Sequence, residues 1–341
     1  MDLRDIGFSA GDLDEILGFI VARKLSYQPF RFTDRHEVGE GLAFVTRTSA
    51  GRTKAVVDWP NAPAEIAHLL VPAEQRRAFR DANDELGSVY DHFVRHIVEN
   101  VGADPGTLDF AEFGCNTGYF LYRLAQRGAR RTIGMDFTYN RGVFDFFNRK
   151  LGVAAEFRFS EWDSLRHRPR YADVPKADVC LSVAVLCHLS DPLHHLSYLC
   201  AKADRAIFVW TPTRPSQEIF MAFGRPGLFN ESLAWPASFD NDVALSRGLL
   251  ELCLRECGFE DLRPVEPIPL QIFGADYWTH QTGILALRTR RAVTVYTGGK
   301  RRRRLPSDYI LSWLPRPIGS LISRKMINWI KRFVGRGSNQ G

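Results

Sequence analysis

Apolar residues recur at helical spacing along "NDELGSVYDHFVRHIVENV" (83–101). Leu86, Val89, Tyr90, Phe93, Ile97 and Val98 fall on one face, which predicts an amphipathic helix. "GDLDEILGFIVARK" (11–24) has the same period and predicts an earlier helix. Between the two, "FRFTDRHEVGEGLAFVTRTSAGRTKAVVDW" alternates apolar and polar residues around Gly-containing turns, the pattern of small antiparallel strands.

Beyond residue 100 the period switches back and forth. Short apolar runs predict strands at 107–113, 131–136, 155–160, 177–184, 204–210, 260–266 and 280–288. Helical patterns lie between them, near 118–128, 140–151, 192–202 and 243–257. "CGFEDLRPVEPI" reads as a helix ending at Gly258 and passing into a late strand. Strand and helix in alternation imply an α/β fold with a mostly parallel sheet covered on both faces. No internal repeat is visible.

Composition changes this picture little. The 341 residues are 45% hydrophobic and 25% charged, ordinary for a globular chain. No run approaches the roughly 18 apolar residues of a membrane span. The start, "MDLRDIGFSAGDLDE", is acidic and lacks the basic-then-apolar order of a secretory signal. Six cysteines (115, 180, 187, 200, 253, 257) are scattered, mostly in apolar runs. Read as reduced and buried, they lead to the expectation of a cytoplasmic protein.

Charge changes the picture more. From Lys300 to Arg336 there are 11 Lys/Arg and one Asp, whereas elsewhere 34 Lys/Arg stand against 38 Asp/Glu, a net −4. The basic character belongs to the tail. There Ile318, Leu321, Ile322, Met326, Trp329, Ile330 and Phe333 recur at helical spacing, flanked by Arg324, Lys325, Lys331, Arg332 and Arg336. Three readings stay open: a helix lying on an anionic membrane surface, a helix docked on the body or on a second chain, and a nucleic-acid contact. KRRRR lacks interleaved aromatics and no RNA-binding motif accompanies it.

Candidate chemistry starts at "AEFGCNTGYF" (111–120). An apolar run carrying Glu112 breaks at Gly114, turns to Gly118 and enters a helical pattern. A Gly turn between strand and helix lets main chain approach a ligand closely. The spacing differs from the pyrophosphate-binding G-x-G-x-x-G. An acid two residues before the first Gly suits an ammonium group. The next strand, "RTIGMDF", ends in Asp136, placed to accept both hydroxyls of a ribose. After the third strand, Glu161 and Trp162 fall where an adenine is hydrogen-bonded and flanked. Ammonium, ribose diol and adenine together describe S-adenosyl-L-methionine (SAM).

"AEFGCNTGYF", "GMDF", "EWDSL" and "DVCLSVAVLCHLSDPLHHL" resemble the successive motifs of class I SAM-dependent methyltransferases. The last is similar to a branch reading V-L-x-H-L-x-D-P, which includes bacterial enzymes of tRNA wobble-uridine modification and many small-molecule methyltransferases. The resemblance covers about 85–290. It departs at Glu112, where Asp is commoner, at Asn116, which replaces the middle Gly, and at Cys187, where the tRNA-related branch often has Tyr. It implies a Rossmann-like fold with a mostly parallel seven-stranded sheet and helices on both faces. It implies SAM contacts at Glu112, Phe113, Gly114, Cys115, Asn116, Gly118, Tyr119, Asp136, Phe137, Glu161, Trp162, Asp163, Ser182 and Val183.

His188 follows "VAVLC" at the carboxyl end of the fourth core strand, where open α/β sheets place ligands. An imidazole, with an ordinary pKa of about 6.5, can take a proton from a hydroxyl near neutral pH. The alternative is a turn cap bonded to Ser190 or Asp191. No metal is expected. His194 and His195 point to different sides of a helix, and His92 and His96, though spaced i, i+4, have no third ligand nearby in sequence. Cys253 and Cys257 share an apolar helix face and read as core. The aromatic insertion 212–240, with 273–280 and the N-terminal part, is expected to shape the acceptor pocket.

The expected organisation is an α+β module at 1–82, a methyltransferase domain at 83–291 and a basic helical tail at 292–341. The expected activity is methyl transfer to a small-molecule, lipid or glycan acceptor at oxygen. The alternatives are a tRNA-modifying enzyme and a non-catalytic partner subunit.

Overall fold

A computed structural model describes residues 6–21, 30, 32–34, 42–47, 53–58, 74, 76–138, 140–223, 243–266, 271–272, 275–276 and 281–289. The N-terminal elements are β1 (Ile6–Phe8), α1 (Ala10–Val21), β2 (Phe32–Asp34), β3 (Leu42–Arg47) and β4 (Thr53–Asp58). β1 pairs with β2 in parallel, and β3 with β4 antiparallel. α2 (Arg76–Asn100) begins well before the 83 that periodicity indicates.

Then come β5 (Asp109–Phe113), α3 (Tyr119–Gln126), β6 (Arg131–Asp136), α4 (Arg141–Leu151), β7 (Ala155–Phe159), β8 (Glu161–Asp163), β9 (Arg168–Arg170) and β10 (Ala177–Val183). The remaining elements are α5 (Pro192–Lys202), β11 (Ala203–Arg214), β12 (Met221–Phe223), β13 (Val243–Ser246), α6 (Arg247–Glu256), β14 (Asp261–Pro264), β15 (Gln271–Ile272), β16 (Ala275–Asp276) and β17 (Gln281–Leu287).

Seven of these strands form the main sheet in the order β7-β6-β5-β10-β11-β17-β14. Neighbours run parallel except at β17, which is antiparallel to both β11 and β14. β13 adds a short parallel pairing at the end of β11 and carries β12 on its far side. The sequence reading placed 243–257 wholly in a helix. The structure makes Val243–Ser246 a strand, and α6 starts only where the Ser246 hydroxyl accepts the Leu249 N–H at 3.1 Å.

Side chains on β11 alternate between two cores, as strand geometry requires. Ala206, Phe208 and Trp210 join a cluster with Phe93 of α2, Tyr122 of α3 and Phe147 of α4. Ile207 and Val209 join Leu196 of α5 and Leu254 of α6 on the opposite face. The described N-terminal residues share the first core. Phe30 stacks on Phe147 at 4.3 Å, and Phe19 meets Phe146 edge-on at 5.7 Å. Each such ring removed from water stabilises by about 1.5–3 kcal/mol. Glu15–Arg149 (2.7 Å) and Asp12–Lys150 ion pairs tie α1 to α4 from outside.

No described helix is long and apolar enough to cross a membrane. The tail at 292–341, residues 224–242 of the aromatic insertion, and 273–274 and 277–280 lie outside the described residues. So do the surface, docking and nucleic-acid roles assigned to the tail.

Candidate functional site

β5 and β6 are parallel neighbours with Glu112 in register with Gly134, so both strands end at one edge of the sheet. Glu112 is the penultimate residue of β5 and Asp136 the last of β6. The chain leaves β5 through Gly114 and enters α3 at Gly118. The N–H groups of Gly114 and Cys115 both donate to the Met135 carbonyl, at 2.8 and 3.1 Å, which pins the turn against β6.

Gly114 and Gly118 have φ of 78° and 90°, a region that penalises any side chain. Space is equally tight. A Cβ at Gly114 would lie 2.4 Å from Val185 Cγ2, and one at Gly118 2.7 Å from Phe144 Cζ. Asn116 between them has φ 52°, which Asn tolerates better than most residues. Its N–H donates to Asp136 Oδ2 at 2.8 Å, and the Thr138 N–H donates to Oδ1 at 2.8 Å. Asn140 Nδ2 donates to the Asn116 carbonyl at 2.9 Å.

Both acids are buried, Glu112 at 1% exposure and Asp136 at 6%. Burial pushes the Glu112 carboxyl well above the usual carboxylate range, and the nearby Asp136 charge pushes the same way. Burial also raises Asp136, against the pull of its N–H donors. Neither acid forms an ion pair among the described residues, and Glu112 Oε2 has no hydrogen-bond partner there. Such an arrangement is costly until a donor or cation arrives. An ammonium group would satisfy Glu112. Asp136 accepts from the main-chain N–H groups of Asn116, Phe137 and Thr138 and from the Thr138 side chain, so the turn orients it, and a diol would add to those bonds.

A seven-stranded sheet with its reversed strand between β11 and β14, and acids closing the first two strands around a Gly turn, decides the fold. It is a Rossmann-like α/β fold.

Other expected SAM contacts fall into several groups. Phe113, Cys115 and Tyr119 are buried, and Tyr119 donates its hydroxyl hydrogen to Asp91 at 3.1 Å. Their buried side chains brace the turn. Phe137, next after Asp136, is 68% exposed, an aromatic face open to solvent. Ser182 and Val183 end β10, and the buried Ser182 Oγ has no partner among the described residues.

The remaining contacts, Glu161, Trp162 and Asp163, lie in a hairpin that the strand pattern did not reveal, β8 with β9. Asp163 accepts from Arg166 at 2.6 Å and Arg170 at 3.1 Å, and these hold its carboxyl far below the usual range. Glu161 pairs with Arg170 at 3.3 Å. Trp162 is 8% exposed and donates Nε1–H to Asp191 Oδ1 at 2.8 Å. Its ring packs on His195 at 4.6 Å and Tyr198 at 5.4 Å. Trp162 and Asp163 are thus engaged within the protein, unlike Glu112, whose Oε2 has no partner among the described residues.

His188 is exposed, in a one-turn helix Leu186–His188, and its main-chain N–H donates to the Val185 carbonyl at 2.9 Å. Val185 packs over Gly114, so the His188 turn abuts the Gly turn. The Asp191 side chain binds Trp162 and His167. Sequence reasoning missed two residues. Thr211 Oγ1, near the end of β11, and Gln281 Oε1, at the start of antiparallel β17, are buried without partners among the described residues. Their signal was a polar residue at the sheet edge where ligands sit.

The histidines expected not to bind metal divide. His96 Nε2 lies 3.4 Å from the Arg263 carbonyl oxygen, and burial holds its pKa below the ordinary value. Buried His195 packs against Phe113 and Trp162, its pKa lowered to about 3 by burial. His194 instead stacks on His167, a neighbour remote in sequence.

No family model matches the chain. The tRNA U34 carboxymethyltransferase of Wolinella succinogenes is 30% identical over 147 residues, 43% of this chain and 46% of that protein. Its counterpart in Campylobacter hominis is 25% identical over 169 residues, 48% and 50%. The chain spans about half the length of the curated relatives it matches. Among solved structures, magnesium protoporphyrin IX methyltransferase from Synechocystis PCC 6803 with bound S-adenosylhomocysteine aligns with TM-score 0.42 and 18% identity, covering 64% of this chain and 89% of that one. The 1,6-didemethyltoxoflavin-N1-methyltransferase of Burkholderia thailandensis aligns with TM-score 0.42 and 14% identity, covering 72% and 99%.

Proposed function

We propose that this chain is a SAM-dependent methyltransferase acting on a hydroxyl of a small molecule. The observation that carries the cofactor is the pair of buried acids, Glu112 and Asp136, on either side of the Gly114–Gly118 turn. Glu112 holds the ammonium end and Asp136 the ribose diol. SAM supplies a methyl group already activated on a sulfonium.

The protein's remaining tasks are alignment and proton removal. His188 removes the acceptor's proton. It is exposed at the carboxyl end of β10 and its turn packs on the Gly turn through Val185. The body outside the tail carries a net −4, which gives no long-range attraction for a polyanion and favours a small acceptor.

A second reading has a specific observation behind it. The matched relatives are named for tRNA U34, so the acceptor is a wobble uridine in this reading. Methyl transfer from label-bearing SAM, with the purified chain added to a fractionated extract, separates the two. Label in the small-molecule fraction supports the first reading, and label in RNA replaces it with the second. No label in any fraction overturns methyl transfer from SAM; carboxymethyl transfer, the activity in the relatives' names, needs a donor that carries that group. In the first case His188→Ala should lower kcat by roughly 10²–10⁴ with SAM affinity unchanged. A near-normal rate in that folded variant removes His188 as the base.

A further inference from the structure

Sequence spacing separates His167, Asp191 and His194, but the fold brings them together. His167 follows the turn between β8 and β9, Asp191 is the residue before α5, and His194 lies in the first turn of α5. One ligand atom from each lies within 4.8 Å of the other two. His167 Nδ1 is 2.6 Å from Asp191 Oδ2. The rings of His167 and His194 stack with centroids 3.8 Å apart and planes 14° apart, so one exposed ring must turn for both to direct a lone pair at one ion. We propose that these three side chains form a binding site for a divalent first-row transition-metal ion such as Zn²⁺.

Three features support a built site. His167 has φ 50°, an unfavourable conformation for a side chain of its size, and that backbone carries its ring to α5. Asp191 is oriented from behind, since its Oδ1 accepts the Trp162 Nε1–H at 2.8 Å while Oδ2 faces His167. A donor fixing a ligating carboxylate is the usual outer support of a metal site. The donor set, two imidazole nitrogens and one carboxylate oxygen, suits zinc and its neighbours rather than calcium or magnesium, which require more oxygens. Both histidines are exposed, so water completes the coordination.

Opposing charges limit affinity. Arg166 and Arg168 flank His167 in sequence, although Arg166 is engaged by Asp163 at 2.6 Å. The positive end of α5 lies at Asp191. The Asp191 charge offsets these only in part. The expected binding is therefore on the order of micromolar. The site joins the β8–β9 hairpin to α5, so an ion there would clamp two elements otherwise linked by the Trp162–Asp191 bond.

The test is a calorimetric titration of the chelator-stripped full chain with ZnCl₂ at about pH 7.5, where imidazole is neutral. One equivalent should bind. His167→Ala and His194→Ala should each weaken binding by at least roughly tenfold. Circular dichroism without metal checks that the variants are folded, and Asp191→Asn, which keeps an acceptor for Trp162, supplies a third variant. Absence of zinc binding below about 1 mM overturns the proposal. So does affinity unchanged in both histidine variants, which would put the ion on other residues.

Discussion

Two sets of acids, on the Gly-turn edge and in the β8–β9 hairpin, are treated in opposite ways by the same fold. Asp163 sits between two arginines and two main-chain N–H donors, and its carboxyl is held far below the usual range. Glu112 is buried with one oxygen unpartnered among the described residues, and its carboxyl is pushed well above that range. The first arrangement is complete among the described residues. The second has room there for a further donor. Burial alone does not separate a structural acid from a binding one, since Asp163 is 2% exposed and Glu112 1%. Partners do.

The largest effect is expected where the turn itself is broken. In Gly114→Ala a methyl group would meet Val185 Cγ2 from a left-handed backbone, costing about 3 kcal/mol and displacing the turn between Glu112 and Asp136. Thermal melts should drop and SAM affinity should fall with them. A stable Gly114→Ala protein that still binds SAM would break the comparison at its geometric base.

The next effect is on stability against pH, and its sign differs between the two acids. For Glu112 the folded pKa lies above the ordinary 4.5, so the unfolded chain loses its proton first. Its contribution to stability therefore falls as pH rises from there through the folded value. Glu112→Gln should melt higher than wild type at about pH 8 without cofactor, with the gap closing towards about pH 4. For Asp163 the folded pKa lies below the ordinary 3.8, so its contribution is present above that value and is lost as pH falls through the folded one. Asp163→Asn should melt lower than wild type at about pH 7, and the gap should close at strongly acidic pH. Melting curves of both variants across pH check this. Gaps of the same sign would mean that the two acids are not differently employed.

A smaller effect sharpens the comparison on the binding side. Asp163→Asn, provided it folds, should leave SAM affinity close to wild type, because that acid's bonds are internal. A loss as large as that of an Asp136 variant would instead draw the hairpin into the cofactor site.

The contrast also explains how much could be read from the chain. The central strands β5, β6, β10 and β11 were legible because parallel strands buried on both faces read as short apolar runs. The Gly114–Gly118 turn and Asp136 were legible because they lie at fixed offsets from those strands. Trp162 and Asp163 carried the same kind of positional signal, yet their partners are Asp191, Arg166 and Arg170. Those partners depend on the β8–β9 hairpin, three residues per strand, too short to show a period. Val243–Ser246 read as helix because its apolar residues continue into α6, while its strand pairing is supplied by β11, remote in sequence. His194 was set aside because only its sequence neighbours were visible. His167 reaches it across 27 residues of chain, by a hairpin and a left-handed backbone.

The most direct test of the central claim, that Glu112 and Asp136 await a cationic cofactor, is calorimetric titration of the full chain with SAM, in wild type and Asp136→Ala. Binding at one site, weakened at least roughly tenfold in the variant, about 1.4 kcal/mol or more, is the expected result. Absence of binding by SAM and S-adenosylhomocysteine, or equal affinity in both proteins, would contradict it.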